Sequence, residues 1–364
     1  MLSTPQKSAL VFIGTYTEHA GSQSKGIYVY QMNLASGELT FEREVKGVRN
    51  PSFLAVHPTE NFLYAVNEVR SFAGEEGGGV SAFSIDPESG DLNVLNARSS
   101  RGQDPCYISV EQTGRFALVA NYASGNVAML PIEANGRLGP AMDVDQHSGS
   151  SVDPQRQDNP YAHCILPDPT NRFAIATNLG ADKLYIYHMD LEKGRLDRHA
   201  EVNVQPGAGP RHLIFHPNGQ RVYLINEMNS TVILYDYDPE AGSLEEIQTI
   251  STLPEGFKGE NLCADLRISG RYLYASNRKH DSIAWFLIDE NTGRLRYEGE
   301  VSSGGREPRG LTIDPTAKFA LAAHERSDNV VVFRIDAETG RLHKMGYEAN
   351  ISQPVYVKFI ESKS

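Results

Sequence analysis

The sequence predicts an all-β fold, a seven-bladed β-propeller running as one domain over residues 1–364 and closed by a blade shared between the N- and C-termini. Three observations lead there. A β-hairpin motif recurs six times along the chain, at intervals of about 50 residues. Each copy is followed by a third apolar strand and, after a turn, by a weaker fourth. The two ends of the chain carry complementary fragments of a seventh copy.

In chain order, ALVFIGTY, GIYVYQM and ELTFEREV match the second, third and fourth strands of a unit that lacks its first. Complete hairpins follow at Asn50 to Glu68, Asp104 to Tyr122 and Asn159 to Leu179. The fourth, GPRHLIFHPNGQRVYLINE, shows the pattern most plainly. Gly-Pro and Arg211 open it, and Leu213, Ile214 and Phe215 form an apolar strand. His216-Pro217-Asn218-Gly219 then turns the chain, and Arg221 to Ile225 returns to end in Asn226-Glu227. Apolar runs around an Asn-Gly turn indicate a hairpin, so Arg211 and Glu227 are expected on the same rim.

Glu260 to Arg278, shorter at its turn, and Glu307 to Glu325 complete the six. Third strands such as TVILYDY and NVVVFRI follow, and turns such as Pro87-Glu88-Ser89-Gly90 and Glu338-Thr339-Gly340 lead to the fourth. The C-terminal QPVYVKFI, Gln353 to Ile360, supplies the missing first strand and leaves no unpaired inner edge. Met142 to Asp158, rich in Ser, Asp and Gln, is expected to be a long loop on the rim that carries the hairpin ends. The Gly74 to Gly79 run lacks the GK[ST] of a phosphate loop and reads as a flexible connection.

Composition narrows the partners. A formal net charge of -12 argues against nucleic acid or an anionic membrane, yet allows a small anionic substrate where clustered Arg and His reverse the sign. Three cysteines without CxxC spacing fit a reducing compartment. The apolar run before Gly14 is too short for a signal-peptide core or a membrane span, so a cytoplasmic protein is expected.

Aligning the copies gives two rings of side chains around one mouth of the central channel. The first strands begin with Ser52, Cys106, His163, Arg211, Ala264, Arg309 and Val355. The second strands end in Asn67-Glu68, Asn121-Tyr122, Asn178-Leu179, Asn226-Glu227, Asn277-Arg278, His324-Glu325 and Thr15-Tyr16. The recurring asparagines read first as backbone ties, with Asn121 and Asn178 retained as candidate substrate contacts. The residues that do not repeat carry the chemistry: His163, Arg211, Glu227, Arg278 and Arg309. An inward salt-bridge network of Arg211 and Arg278 on Glu227 would also account for part of this pattern. No HExxH or CxxC occurs, and the arginines disfavour calcium, so neither metal nor cofactor is expected.

At these residues the chain resembles a known family, the seven-bladed lactonases, which include propeller-type 6-phosphogluconolactonases and carboxy-muconate lactonising enzymes. The likeness covers nearly the whole chain and is strongest in RQDNPYAHC, GAGPRHLIFHPNG, YLINE, STLPEGFKGEN, YASNRKHDSIAWF and EPRGLTIDP. It implies an active site of His163, Arg211, Glu227 and Arg278. Two departures stand out: Pro160-Tyr161-Ala162-His163 where PHxH is usual, and Ala323-His324-Glu325 where an Asn-Gln pair is usual. The expected reaction is metal-independent hydrolysis of 6-phosphogluconolactone or a similar sugar lactone. His163 or Glu227 is the candidate base, and Arg211 and Arg278 the oxyanion donors. Arg309 with Lys279 is expected to hold a phosphate or carboxylate. Cycloisomerisation of a muconate and a non-catalytic binding propeller are the alternatives.

Overall fold

Short β-branched and aromatic runs buried on both faces leave their backbone polar groups no partner except neighbouring strands. The computed structural model describes residues 8–361 except 87–88, and among these it contains strands and no helix. The Pro87-Glu88 part of one expected turn therefore lies outside the described residues. Seven four-stranded antiparallel sheets are arranged in a ring. Their innermost strands are Leu54–Val56, Pro105–Val110, Ala162–Pro167, Pro210–Phe215, Leu262–Ser269, Pro308–Ile313 and Pro354–Glu361. The closing blade is stitched as its sequence implies. Pro354–Glu361 pairs antiparallel with Ser8–Thr15, and Gly26–Asn33 and Leu39–Lys46 complete it outward.

Two segments differ from expectation. Within 142–158, Asp143–Gln146 is the fourth strand of its blade, paired with Asn126–Pro131, and the rest is loop. An outermost strand need bury only one face, so a polar DVDQ qualifies without showing an apolar pattern. The Gly74–Gly79 region is not merely a connection. Ser71–Phe72 pairs with Glu75–Glu76 in a small hairpin, with Gly74 at φ 85° in its turn, and Gly79 opens the next strand.

The inner hairpin turns are tied by side chains as well as by backbone. Gly219, at φ 70°, donates its N–H to the His216 carbonyl at 2.9 Å. In other blades a carboxylate does similar work: Asp314 Oδ1 accepts the N–H groups of Lys318 and Phe319, and Asp168 Oδ1 those of Arg172 and Phe173. At the opposite end of the hairpins the recurring asparagines bind blade to blade. Asn67, Asn121 and Asn277 donate side-chain amides to the carbonyls of Arg49, Ser100 and Thr252, each in the connection arriving from the preceding blade.

The feature that places the site is a register shift at the channel mouth. Pro210 pairs with Asn226 and His212 with Ile225, which leaves Arg211 as one residue too many. The same irregularity sets Cys106, His163, Arg309 and Val355 apart, and a longer one covers Ala264 and Asp265. A β-bulge of this kind bends its strand and re-aims the extra side chain. Gly310, just after one bulge, has no room for a side chain, since a Cβ there would lie 2.4 Å from the Val355 carbonyl.

Four histidines are enclosed by this architecture and kept neutral. Burial pushes His147, His212 and His324 down to about 4 and holds His163 well below its ordinary value. The unfolded chain titrates these groups near pH 6.5 and so takes up protons that the folded chain refuses. Stability is therefore retained above about pH 6.5 and falls as pH drops toward about 4, by about 1.4 kcal/mol per pH unit for each histidine. Urea unfolding across that window should show this slope for four groups, and a flat profile would mean that they are charged in the fold.

Candidate active site

Glu227 immediately follows the second strand of its blade, Arg221–Asn226, and its backbone is held from two sides. Its N–H donates to the Gly209 carbonyl at 2.7 Å, and its own carbonyl accepts from Cys263 of the next blade at 3.0 Å. The carboxylate is then surrounded by arginines. Oε2 lies 3.0 Å from Arg211 Nε and 2.7 Å from Arg278 Nη2, while Oε1 meets Arg156 Nη2. Arg211, Glu227 and Arg278 are almost fully enclosed, whereas the Arg156 side chain is 37% exposed. Burial alone would raise the Glu227 pKa, but Arg278, Arg211, His163 and Arg156 hold it well below the usual carboxylate range. Glu227 therefore stays ionised and is a weak base.

The guanidinium groups are themselves anchored. Arg211 Nη1 donates to the Ala264 carbonyl, and Arg278 Nη2 to the Cys263 carbonyl at 3.0 Å. Burial, with Arg278 and Arg309 nearby, pushes Arg211 down to about 10, which leaves it charged at neutral pH. The buried Nε of Arg278 has no protein acceptor, although buried donors are nearly always paired. Beneath Arg211, His212 Nδ1 lies 3.1 Å from Asp265 Oδ1, and Arg267 Nη1 approaches the same oxygen at 2.7 Å.

His163 forms the neighbouring wall. Its ring stands edge-on to those of His212 at 5.2 Å and Tyr122 at 5.4 Å, and Nδ1 is 3.7 Å from Cys106 Sγ. Burial and the Arg211 charge hold its pKa well below the ordinary value, so the imidazole is neutral. Burial pushes the Cys106 thiol well up, which leaves it un-ionised.

Across the mouth sits a second acidic group. Glu68 accepts from the Tyr16 hydroxyl at 3.1 and 3.2 Å on its two oxygens, and from the Ser52 hydroxyl on Oε2. Arg309 stacks over the Tyr16 ring at 5.4 Å and approaches Glu325 at 4.0 Å.

Several expected contacts fall elsewhere. Asn121 and Asn178, candidates for substrate binding, are fully buried; Asn178 is committed to the fold at both ends of its amide, whereas Asn121 commits its amide nitrogen and leaves its oxygen unpaired. Asn121 donates to Ser100 and Asn126, and Asn178 accepts from the backbone of Tyr161 and Ala181 while its amide meets His147. Lys279 stands outside the buried cluster, its side chain 43% exposed and 3.3 Å from Glu260. Tyr161, the residue in place of the first histidine of PHxH, stacks on Tyr122 at 4.8 Å and donates to Asp158 on the rim. His324 is buried against the Asn329 carbonyl, so its neighbour Glu325 is the one that approaches Arg309.

The residue that repeat alignment missed is Arg156. It belongs to the irregular loop and has no counterpart in the other blades. Gln157 beside it anchors that loop, its amide donating to the Leu179 carbonyl and to Asp182 at 2.9 and 2.7 Å. Those buried bonds leave Arg156 directed at Glu227. The available clue was RQDNP, a stretch whose likeness to other chains extends beyond the hairpin.

The chain is similar in sequence and fold to known proteins. Residues 10–359 match the family described as Lactonase, 7-bladed beta-propeller. A 6-phosphogluconolactonase of Bacillus subtilis (strain 168) is 34% identical over 310 residues, covering 85% of this chain and 86% of that protein. The solved structure of a putative 6-phosphogluconolactonase from Bacteroides fragilis superposes with a TM-score of 0.90 at 34% identity, covering 99% of each chain. A periplasmic gluconolactonase of Pseudomonas aeruginosa gives 0.91 at 32% identity, over 98% of this chain and 99% of that one. Matched along nearly its whole length in sequence and in fold, this chain belongs to the seven-bladed β-propeller lactonase family.

Proposed function

We propose that the protein hydrolyses a negatively charged sugar lactone, with 6-phosphogluconolactone as substrate and 6-phosphogluconate as product. The observation that carries this reading is the convergence of Arg156, Arg211 and Arg278 on one carboxylate, in a chain whose net charge is -12. Three cations against one anion leave a local positive surplus around Glu227, and a concave site of that sign concentrates anions.

Lactone opening passes through a tetrahedral oxyanion, which fixed guanidinium donors in a water-poor site stabilise strongly. Arg211 and Arg278 have that character, because Glu227 and backbone carbonyls already orient them. Glu227 then serves as their clamp rather than as the base. Neutral His163 offers one N–H and one lone pair to the substrate. Arg156, more exposed and carried on a loop, is suited to the substrate's phosphate. Tyr122 and Tyr161 provide an apolar wall for the sugar ring. The names of the Bacillus and Bacteroides relatives point to the same substrate. Three unpaired buried cysteines fit a reducing cytoplasm, where this product enters the pentose phosphate pathway.

Purified protein should accelerate 6-phosphogluconolactone hydrolysis above the buffer rate, equally with and without a chelator. No acceleration would remove the reading, and chelator-sensitive activity would overturn its metal-free chemistry. Loss of diene absorbance from a muconate would instead indicate cycloisomerisation.

Arg211→Met should lower kcat by about 10²–10³ in the folded fraction, as loss of an oxyanion donor does. It should also cost about 3–5 kcal/mol of stability, because Glu227 is left buried with less compensation. Adding Glu227→Gln should restore much of that stability and none of the turnover, measured by urea unfolding and steady-state kinetics. An active double variant would make the pair structural.

Arg156→Ala should raise KM by about 10- to 100-fold through loss of a charge-assisted contact, with kcat nearly unchanged. The same substitution tested on uncharged gluconolactone should have little effect on KM. An equal effect on both lactones would detach Arg156 from the phosphate.

A further inference from the structure

The cluster around Glu227 accounts for binding and oxyanion stabilisation but supplies no effective base. Glu227 is saturated by arginines, and His163 is kept neutral by burial and positive neighbours. The other side of the mouth holds a group with the opposite surroundings. Ser52, Glu68, Cys106, Arg211, His212 and Arg309 enclose a cavity whose volume is about 10 Å³ as seen by the centre of a water molecule. That is close to the room one ordered water requires, and such a water needs two to four polar partners. Glu68 and Ser52 on one wall and Arg211 and Arg309 on the other provide them.

We propose that Glu68, held in place by Ser52 and Tyr16, is the general base that activates the attacking water. The inference rests on the lactonase reading. The water oxygen forms the new bond to the lactone carbonyl carbon while its proton passes to a Glu68 oxygen. The carbonyl π pair moves onto oxygen beside Arg211 and Arg278. The intermediate collapses, the ring C–O bond breaks, and the departing alkoxide recovers the proton from Glu68. One water is consumed, one hydroxy acid is formed, and the carboxylate is regenerated.

The surroundings of the two carboxylates support this division. Burial pushes Glu68 up, opposed in part by Arg309, Ser52 and Tyr16, whereas Glu227 is driven down by its arginines. Two carboxyl groups whose environments separate their basicities commonly divide their roles in this way. The hydroxyls of Ser52 and Tyr16 both donate to Glu68, which fixes its rotamer, and a carboxylate that lines the cavity has acceptor capacity beyond these two donors. Glu68 is not completely enclosed, so the proton path stays open to the mouth.

Glu68→Gln keeps an acceptor for Ser52 and Tyr16 but cannot take a proton. On 6-phosphogluconolactone its kcat should fall by about 10²–10⁴, the range of general-base catalysis, with KM nearly unchanged. Glu68→Ala should regain part of the lost rate when formate is added, because a small carboxylate can occupy the space. A folded Glu68→Gln with more than a tenth of wild-type kcat, or a Glu68→Ala indifferent to formate, would overturn the assignment. If neither variant folds, Ser52→Ala carries the test: kcat should fall by about tenfold, as loss of one orienting hydrogen bond implies, and an unchanged kcat would overturn it. A wild-type protein inert toward the lactone removes the lactonase reading and the base with it. An active wild type matched by Glu68→Gln removes the base alone.

Discussion

One extra residue at the mouth end of the innermost strands is the constraint on which the site depends. A regular strand sends successive side chains to opposite faces, so a channel receives every second residue. The bulge adds a residue without a pairing partner and re-aims it. Arg211, His163, Arg309 and Cys106 all occupy this position, with Val355 and Ala264 completing the set in other blades. The backbone device is thus shared, while the side chains placed on it differ from blade to blade. The scaffold repeats and the chemistry does not.

What the bulges bring together is costly to bury. Arginines and a carboxylate removed from water lose hydration that mutual attraction repays only when geometry and hydrogen bonding are good. Here the compensation is visible. Glu227 satisfies both oxygens, Arg211 reaches a backbone carbonyl of the next blade and Arg278 one of its own blade, and the Glu227 backbone is fixed from two sides. The remaining imbalance is the cationic surplus and the unpaired Nε of Arg278. Both are relieved by an anion, which is why the cluster suits a ligand better than a purely structural bridge.

The architecture was legible because blade strands repeat in sequence, and even the split closing blade showed itself as two complementary fragments. The bulges were not legible, since a fixed offset between strand start and strand end is compatible with either a regular or a bulged hairpin. Adjacency of Arg211 and Glu227 followed from hairpin geometry alone. The burial of Asn121 and Asn178 was not legible, because sequence locates an amide at the rim but not the backbone carbonyl or N–H that occupies it. Lys279 was over-read for a related reason: its neighbour Arg278 turns inward, and Lys279 itself remains in solvent. Arg156 escaped because a residue outside the repeat has nothing to be aligned with. Asp143–Gln146 escaped because an outermost strand need not be apolar.

Glu68 and Glu227 show where sequence reasoning reaches its limit and physical chemistry continues. Both glutamates follow an asparagine at the end of a second strand, and nothing local distinguishes them. Their difference arises from what the ring places opposite each one. Glu227 meets Arg211 of its own blade, Arg278 of the next and Arg156 of the loop, whereas Glu68 meets two hydroxyl groups with Arg309 further off. Hydroxyl donors orient a carboxylate without the full field of a contacting cation, so they fix its geometry while burial keeps its affinity for a proton. A ring of equivalent positions can therefore hold a strong clamp and a usable base within one mouth. The separation is set by neighbours across blade boundaries, not by the residue or by its place in the repeat.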